Sequence, residues 1–248
     1  MIALILLAGY GSRLGRDDLP HKVLLPFGEE TLLSRHLKTF QDAGIRKTVL
    51  VVGHNREAVK AAVQAMDLTM PVEFVDNDEY LTTGNTLSLV MGLRGAGGTV
   101  LVMDGDVLYP REVLREFLRN ANGSVFAVVP VDIDDQECAK VLLKENGTLA
   151  ALVTKRALTE EEKERYTFGG EAIGFFTLSP EAVQVILRTY QAREEFFKTT
   201  LWEVLFSEIA GQTPFTVYRI EKPGCFEIDT REDYEEALRF FREHPELY

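Results

Sequence analysis

Behind a short apolar run, the stretch LLAGYGSRLG (Leu6 to Gly15) sets Gly9, Gly11 and Gly15 around Arg13. Glycines let backbone N–H groups approach an anion closely, and an arginine fork clamps two phosphate oxygens. Lys22, between Pro20 and Pro26 in LPHKVLLPFGEETLL, adds a point charge further along. Together they suit a triphosphate; the plainer alternative is a βα turn with two surface cations. A dinucleotide fingerprint is excluded, because Leu14 stands where the third glycine of G-x-G-x-x-G belongs, and no Gly-Lys-Ser/Thr of a Walker A loop follows.

Carboxylates form the second set. Asp104 and Asp106 come just past the apolar TVLVM, and Asp229 follows CFEI far along the chain. Magnesium takes one or two protein carboxylates and completes its octahedron with water and phosphate oxygens, a description that Asp106 with Asp229 fits. The competing reading makes Asp104 and Asp106 turn residues. It makes Asp229 the cap of the last helix, answered by Glu232, with Thr230 as the other candidate cap.

These residues need a frame to hold them. IALILL, TVLVV, VEFV, TVLVM and SVFAVV read as buried strands, with helical spacing between several of them, as in Leu33, His36, Leu37 and Phe40, or Val113, Leu114, Phe117 and Leu118. The pattern predicts an α/β fold with a largely parallel sheet flanked by helices, and Asp104 and Asp106 at the carboxyl edge where such sheets bind ligands. From Cys138 the rhythm changes. KVLLKENGTLAALV places two apolar stretches around Asn146-Gly147, a hairpin signal, so a small antiparallel element is expected in the second half. RALTEEEKERYTFGG reads as a polar, partly helical excursion before the apolar EAIGFFTL. REDYEEALRFFREH closes the chain with a helix whose apolar stripe is Tyr234, Ala237, Leu238 and Phe241.

The chain of 248 residues, 46% of them apolar, is expected to form a single domain over 1–248. The opening IALILLA is too short for a span and lacks a basic leader, and no stretch approaches the roughly 20 apolar residues a span needs. A soluble, cytoplasmic protein without a membrane partner is expected. A formal charge of −12 argues against nucleic acid as partner. Cys138 and Cys225 lie far apart without metal-type spacing and read as core thiols; His21, His36, His54 and His244 form no ligand pattern.

LLAGYGSRLG, six further residues and KVLLPFGEETLL resemble the signature of the nucleotidyltransferases (pyrophosphorylases) that activate sugar phosphates and phosphoalcohols. The resemblance extends over nearly the whole chain. One departure is His21, where many members place proline before the lysine. NDEYLTTGNTLSL is similar to segments of the cytidylyltransferases for phosphocholine, aminoethylphosphonate and inositol phosphate, matching through Asn85 and Ser88, with Gly84 replacing an asparagine. GEAIGFF and FEIDTREDY resemble the phosphocholine branch most closely.

That resemblance implies a Rossmann-like α/β domain and transfer of CMP from CTP to a small phosphoalcohol, with release of pyrophosphate and Mg2+ as cofactor. A sugar or inositol 1-phosphate nucleotidyltransferase is the alternative. It implies nucleotide binding by Leu7, Ala8, Gly9, Gly11, Ser12, Arg13, Lys22, Thr83, Gly84, Asn85, Ser88 and Asp104, and metal binding by Asp106 and Asp229. Arg13 and Lys22 become the catalytic cations, the first on the β- and γ-phosphates with the Gly9 and Gly11 amides, the second on the α-phosphate and the acceptor phosphate. For a cationic acceptor, Tyr80, Phe168, Trp202 and Glu171 are available as aromatic faces and acid. Trp202 has a competing reading as a core residue, because Leu205, Phe206 and Ile209 follow it at helical spacing. A homo-oligomer is compatible with the sequence.

Overall fold

The computed structural model describes residues 1–11, 14 and 21–248. Ser12 and Arg13, both expected at the nucleotide, lie outside the described residues.

In chain order the elements begin with β1 (Ile2–Leu7), a 3-10 turn at Lys22–Leu24, β2 (Pro26–Phe27), β3 (Glu30–Thr31) and α1 (Leu32–Asp42). The βα alternation continues through β4 (Thr48–Val52), α2 (Arg56–Gln64), β5 (Val72–Asp76), α3 (Asn85–Leu93), β6 (Val100–Asp104), β7 (Val107–Leu108), α4 (Arg111–Asn120) and β8 (Val125–Val129). The second half adds β9 (Lys140–Leu143), β10 (Leu149–Val153), α5 (Glu160–Arg165), β11 (Thr167–Leu178), α6 (Pro180–Ala192), α7 (Glu194–Phe197) and α8 (Trp202–Ile209). The chain then forms β12 (Thr216–Arg219), β13 (Phe226–Glu227) and α9 (Arg231–Glu243).

The main sheet runs in the order β10-β9-β11-β6-β1-β4-β5, with β8 on β11 and β12 on β8. Its centre is parallel: β1 pairs with β4 and β6, and β4 with β5, so the strands leave their carboxyl ends at one edge. Strand β1 alternates cleanly, with Ala3, Ile5 and Leu7 in the core on one face and Ile2 and Leu4 in the core on the other. Burial on both faces is what an unbroken apolar run such as IALILL encodes. The first core holds Leu33, Leu37 and Phe40 of α1; the second holds Trp202, Leu205 and Phe206 of α8.

The antiparallel element is larger than the hairpin at Asn146-Gly147, which does form with Gly147 at φ +78°. Twelve-residue β11 runs antiparallel to β6, β8 and β9 at once and joins the hairpin to the parallel centre. SVFAVV therefore pairs antiparallel with β11, and parallel only with β12, rather than extending the βαβ series. Its composition suits either direction, because both of its faces are buried in each case.

Among the described residues, no helix is long and apolar enough to cross a membrane. Cys138 is buried and Cys225 half-buried, and neither is in a disulfide.

Candidate active site

Two local devices bring the distant residues together. After β6, the chain turns at Gly105 into β7, whose Val107 and Leu108 pair antiparallel with Glu227 and Phe226 of β13. The Ile228 N–H donates to the Asp106 carbonyl (3.0 Å), so this small ribbon carries Glu227 and Asp229 to Asp106 across almost half the chain. Period-2 alternation then puts Glu227 and Asp229 on one side and Phe226 and Ile228 on the other. One carboxylate oxygen atom from each of Asp106, Glu227 and Asp229 lies within 4.8 Å of the others.

The second device is His21. Its Nε2 donates to the Leu7 carbonyl at the end of β1 (2.9 Å), and its Nδ1 accepts from the Val23 N–H (3.1 Å). Only the neutral Nε2–H tautomer makes both bonds. Burial pushes its pKa down to about 4, which the Leu7 bond only partly opposes. The histidine at the proline position thus closes the glycine loop and seats the turn that carries Lys22.

Lys22 reaches the acid cluster. Its Nζ pairs with Asp106 Oδ2 and Asp229 Oδ1 (3.2 Å for the latter) and donates to the Ile228 carbonyl (3.4 Å). Burial opposes its charge, yet the two carboxylates hold its pKa above the ordinary lysine range. Gly11, at φ +65°, lies against this side chain; a Cβ there would stand 3.3 Å from Lys22 Cδ.

The cap reading of Asp229 fails on geometry. Thr230 is the N-cap of α9, its hydroxyl accepting from the Asp233 N–H while Asp233 receives the Thr230 N–H. Asp233 also accepts the Asp229 N–H (3.0 Å), leaving the Asp229 carboxylate to the cluster.

Asp106, Lys22 and the loop open on a cavity of about 480 Å³ at the carboxyl edge of the sheet. Leu7, Ala8, Gly9 and Gly11 line it, as do Tyr80, Thr83, Gly84, Asn85, Ser88 and Asp104. Asn85 and Ser88 already serve the framework: Asn85 Oδ1 accepts the Trp202 N–H (2.8 Å) and Ser88 Oγ accepts from Asn77 Nδ2 (3.0 Å). Gly84 is explained by packing. Its N–H donates to the Lys198 carbonyl (2.8 Å), and a Cβ would fall 1.9 Å from the Thr200 carbonyl oxygen, where no asparagine fits. Asp104 is driven toward its protonated form by burial and then by Asp106, Glu227 and Glu203.

The acceptor candidates separate. Tyr80 and Glu171 line the cavity, Glu171 with its pKa raised by burial and by Asp135. Phe168 does not line it. Trp202 borders it but is only 3% exposed, its ring stacked on Phe126 (6.1 Å between centroids) and packed against Phe176 and Phe206. The core alternative describes this ring. A tryptophan so enclosed offers no open face to a cation.

Three cavity residues carried no signal in the sequence. Glu137, Lys155 and Glu203 come from separate loops and one helix start, and only the fold assembles them. Glu227 did have one, its place two residues before Asp229 on a strand. Its carboxyl opens into the cavity, and burial followed by Asp106 and Asp229 pushes its pKa up to about 8.

A parallel-centred sheet with a glycine loop, a paired lysine and an acid cluster at its carboxyl edge defines a nucleotide-handling α/β protein. The chain belongs to the MobA-like NTP transferase domain family, whose model matches residues 3–173. The bifunctional protein GlmU of Cellvibrio japonicus (strain Ueda107) is 30% identical over 162 residues, 64% of this chain and 34% of the relative. The chain spans about a third of the length of such curated relatives. In fold it is similar to the CTP:phosphocholine cytidylyltransferase LicC from Streptococcus pneumoniae (TM-score 0.74, 18% identity, covering 97% of this chain and 98% of that one). A UDP-glucose pyrophosphorylase, solved in complex with UDP-glucose, gives a TM-score of 0.75 at 15% identity, covering 98% of this chain and 99% of that one. These two likenesses are of fold.

Proposed function

We propose that the chain is a cytidylyltransferase that transfers CMP from CTP to a small phosphoalcohol or phosphonate bearing a cation, the class of phosphocholine and related phospho-amino-alcohols. The observation that carries this reading is Lys22 held against Asp106 and Asp229 beside the glycine loop, at one end of a cavity whose remaining charged lining is mostly acidic. Cytidine is supported by the likeness of NDEYLTTGNTLSL to cytidylyltransferase segments. A cationic acceptor is supported by Glu137, Glu171 and Glu203 facing the same space, with Lys155 as their nearby counter-charge. A sugar or inositol 1-phosphate as acceptor has support in the equal likeness of fold to UDP-glucose pyrophosphorylase. Neutral hydroxyls would not offset so many carboxylates.

The donor set suits magnesium. Asp106, Glu227 and Asp229 offer hard oxygen ligands, and Asp106 Oδ1 is buried without a hydrogen-bond partner among the described residues. These three residues would hold the ion, which when bound offsets negative charge on the nucleotide phosphates.

An acceptor phosphate oxygen attacks the α-phosphorus of CTP in line. The new P–O bond forms as the bond to the bridging oxygen of the β-phosphate breaks, and pyrophosphate leaves with that electron pair. A phosphate dianion is already a nucleophile, so the protein's work is positioning and charge compensation. Lys22 moves from the carboxylates to the α-phosphate and acceptor phosphate, the Gly9 and Gly11 amides meet the outer phosphates, and Arg13 is proposed to join them. Two unpaired cysteines accord with a cytoplasmic setting.

Pyrophosphate release over four NTPs, each with phosphocholine, phosphoethanolamine, 2-aminoethylphosphonate, inositol 1-phosphate and glucose 1-phosphate, tests the reading. Turnover with CTP and a cationic acceptor is expected; preference for a sugar phosphate or for another base would refute it.

A further inference from the structure

Glu203 stands apart from the other acids of the cavity. It lies in the first turn of α8, and its Oε2 is enclosed with no hydrogen-bond partner among the described residues. Its own backbone N–H lies close enough to favour the charged form, and Lys155 acts on it from a distance. Burial nevertheless dominates and raises its pKa. An enclosed carboxylate oxygen without a donor is costly, and the cost is removed when an N–H group arrives. Glu203 also lines the cavity, so a cation bound there meets a carboxyl whose Oε2 no donor among the described residues satisfies.

What surrounds Glu203 decides which cation suits it. A trimethylammonium group has no N–H and is best held by several aromatic faces. Of the rings that could form such a cage, Trp202 borders the cavity but is packed in the core, Phe168 lies off the cavity, and Tyr80 lines it. A protonated primary amine brings three donors to an orphaned carboxylate. Asp104 and Glu203 both line the cavity.

We propose that Glu203 is the specificity-determining residue of the acceptor site, selecting an acceptor whose phosphate or phosphonate is carried on a primary ammonium over one carried on a quaternary ammonium. This rests on the cytidylyltransferase reading above. Glu203 accepts the ammonium N–H, and Asp104 and Glu171 line the same cavity without making the selection.

Competition on the intact protein with CTP tests it. The wild type is given phosphoethanolamine and its N-methyl, N,N-dimethyl and N,N,N-trimethyl derivatives, the last being phosphocholine. The specificity constant is expected to fall by at least about tenfold where the final N–H is lost, between the dimethyl and trimethyl compounds. In Glu203→Gln the ratio of phosphoethanolamine to phosphocholine should collapse toward one, with the apparent CTP constant unchanged. Equal use of the whole series by the wild type, a preference for phosphocholine, or an unaltered ratio in Glu203→Gln overturns the proposal. The methyl series needs no variant, so poor folding of Glu203→Gln leaves it decisive. Transfer of CMP to inositol 1-phosphate or glucose 1-phosphate, with none to any amine of the series, overturns the function reading itself and the proposal with it. Equal transfer to all four amines by the wild type overturns the role of Glu203 alone.

Discussion

Replacing Lys22 by alanine should separate its two partners. In the structure its ammonium is spent on Asp106 and Asp229, with side-chain exposures of 16% for the lysine against 14% and 29% for the acids. Those acids are also two of the three residues that offer oxygens to a divalent ion. On the proposed reading, lysine and ion would compete for the same oxygens while no nucleotide is bound, and Lys22 would be free to meet phosphate once an ion takes its place. At an effective dielectric constant near 20, a pair of unit charges about 3 Å apart attracts by roughly 5 kcal/mol before desolvation and hydration are subtracted. A net remainder of about 1.4 kcal/mol is enough for a tenfold change in binding. We expect Lys22→Ala to bind Mn2+, read by electron paramagnetic resonance on the nucleotide-free protein, about tenfold more tightly than the wild type. Turnover should fall by about 10²–10³-fold, the scale for loss of one preorganised electrostatic contact, with a smaller change in CTP affinity. Weaker Mn2+ binding in the variant would show that the ion does not sit on these carboxylates. Turnover near that of the wild type would remove Lys22 from the chemistry.

Asp229→Asn should abolish metal-dependent turnover and weaken Mn2+ binding with little change in melting temperature, whereas Thr230→Ala should lose about 1 kcal/mol of stability and keep its activity, because the α9 cap belongs to Thr230 and Asp233; a large loss of melting temperature in Asp229→Asn would restore the capping role. His36, fully enclosed, bonds the Gly105 carbonyl through Nε2 and the Tyr109 hydroxyl through Nδ1, and burial lowers its pKa to about 4 against 6.5 for the free side chain. The unfolded chain takes up the proton first, so the stability tied to this residue is complete above pH 6.5 and is lost as pH falls toward 4, about 2 kcal/mol between pH 7.5 and 5. Urea titrations should show a pH-dependent loss larger by that amount in the wild type than in His36→Gln, which keeps the contribution of His21; equal pH slopes would refute it. Trp202→Ala should cost about 3–5 kcal/mol of stability, as for an aromatic core residue, and leave acceptor selectivity in place, whereas a stable variant with altered selectivity would return the ring to the acceptor site.

Much of this site could be read before any fold was known, because its signals are local. Glycine spacing, the cation Lys22, and acids just beyond apolar strands each lie within a few neighbouring residues, and apolar periodicity marked the strands β1, β4 and β6 that end beneath them. The same local chemistry left pairs of readings level. For Asp229 it was metal or cap, and for Trp202 cavity or core. Each was decided by contacts between segments far apart in sequence: the β7–β13 ribbon that carries Glu227 and Asp229 to Asp106, and the packing of α8 against Phe126 and Phe176 that encloses the indole. Direction of strand pairing was equally beyond reach for SVFAVV, since a doubly buried strand shows the same apolar run whether its neighbour is parallel or antiparallel. Glu203 was invisible for a further reason. One glutamate at a helix start looks like any solvated acid, and only the cavity that closes around it makes its oxygen an unpaired group. Sequence by itself determined the kinds of chemistry available and the strands that carry them, because charge, glycine and apolar period act over a few residues. Tertiary structure decided which acids meet, which ring is buried and which oxygen lacks a donor, because those depend on distances between segments that only folding brings together.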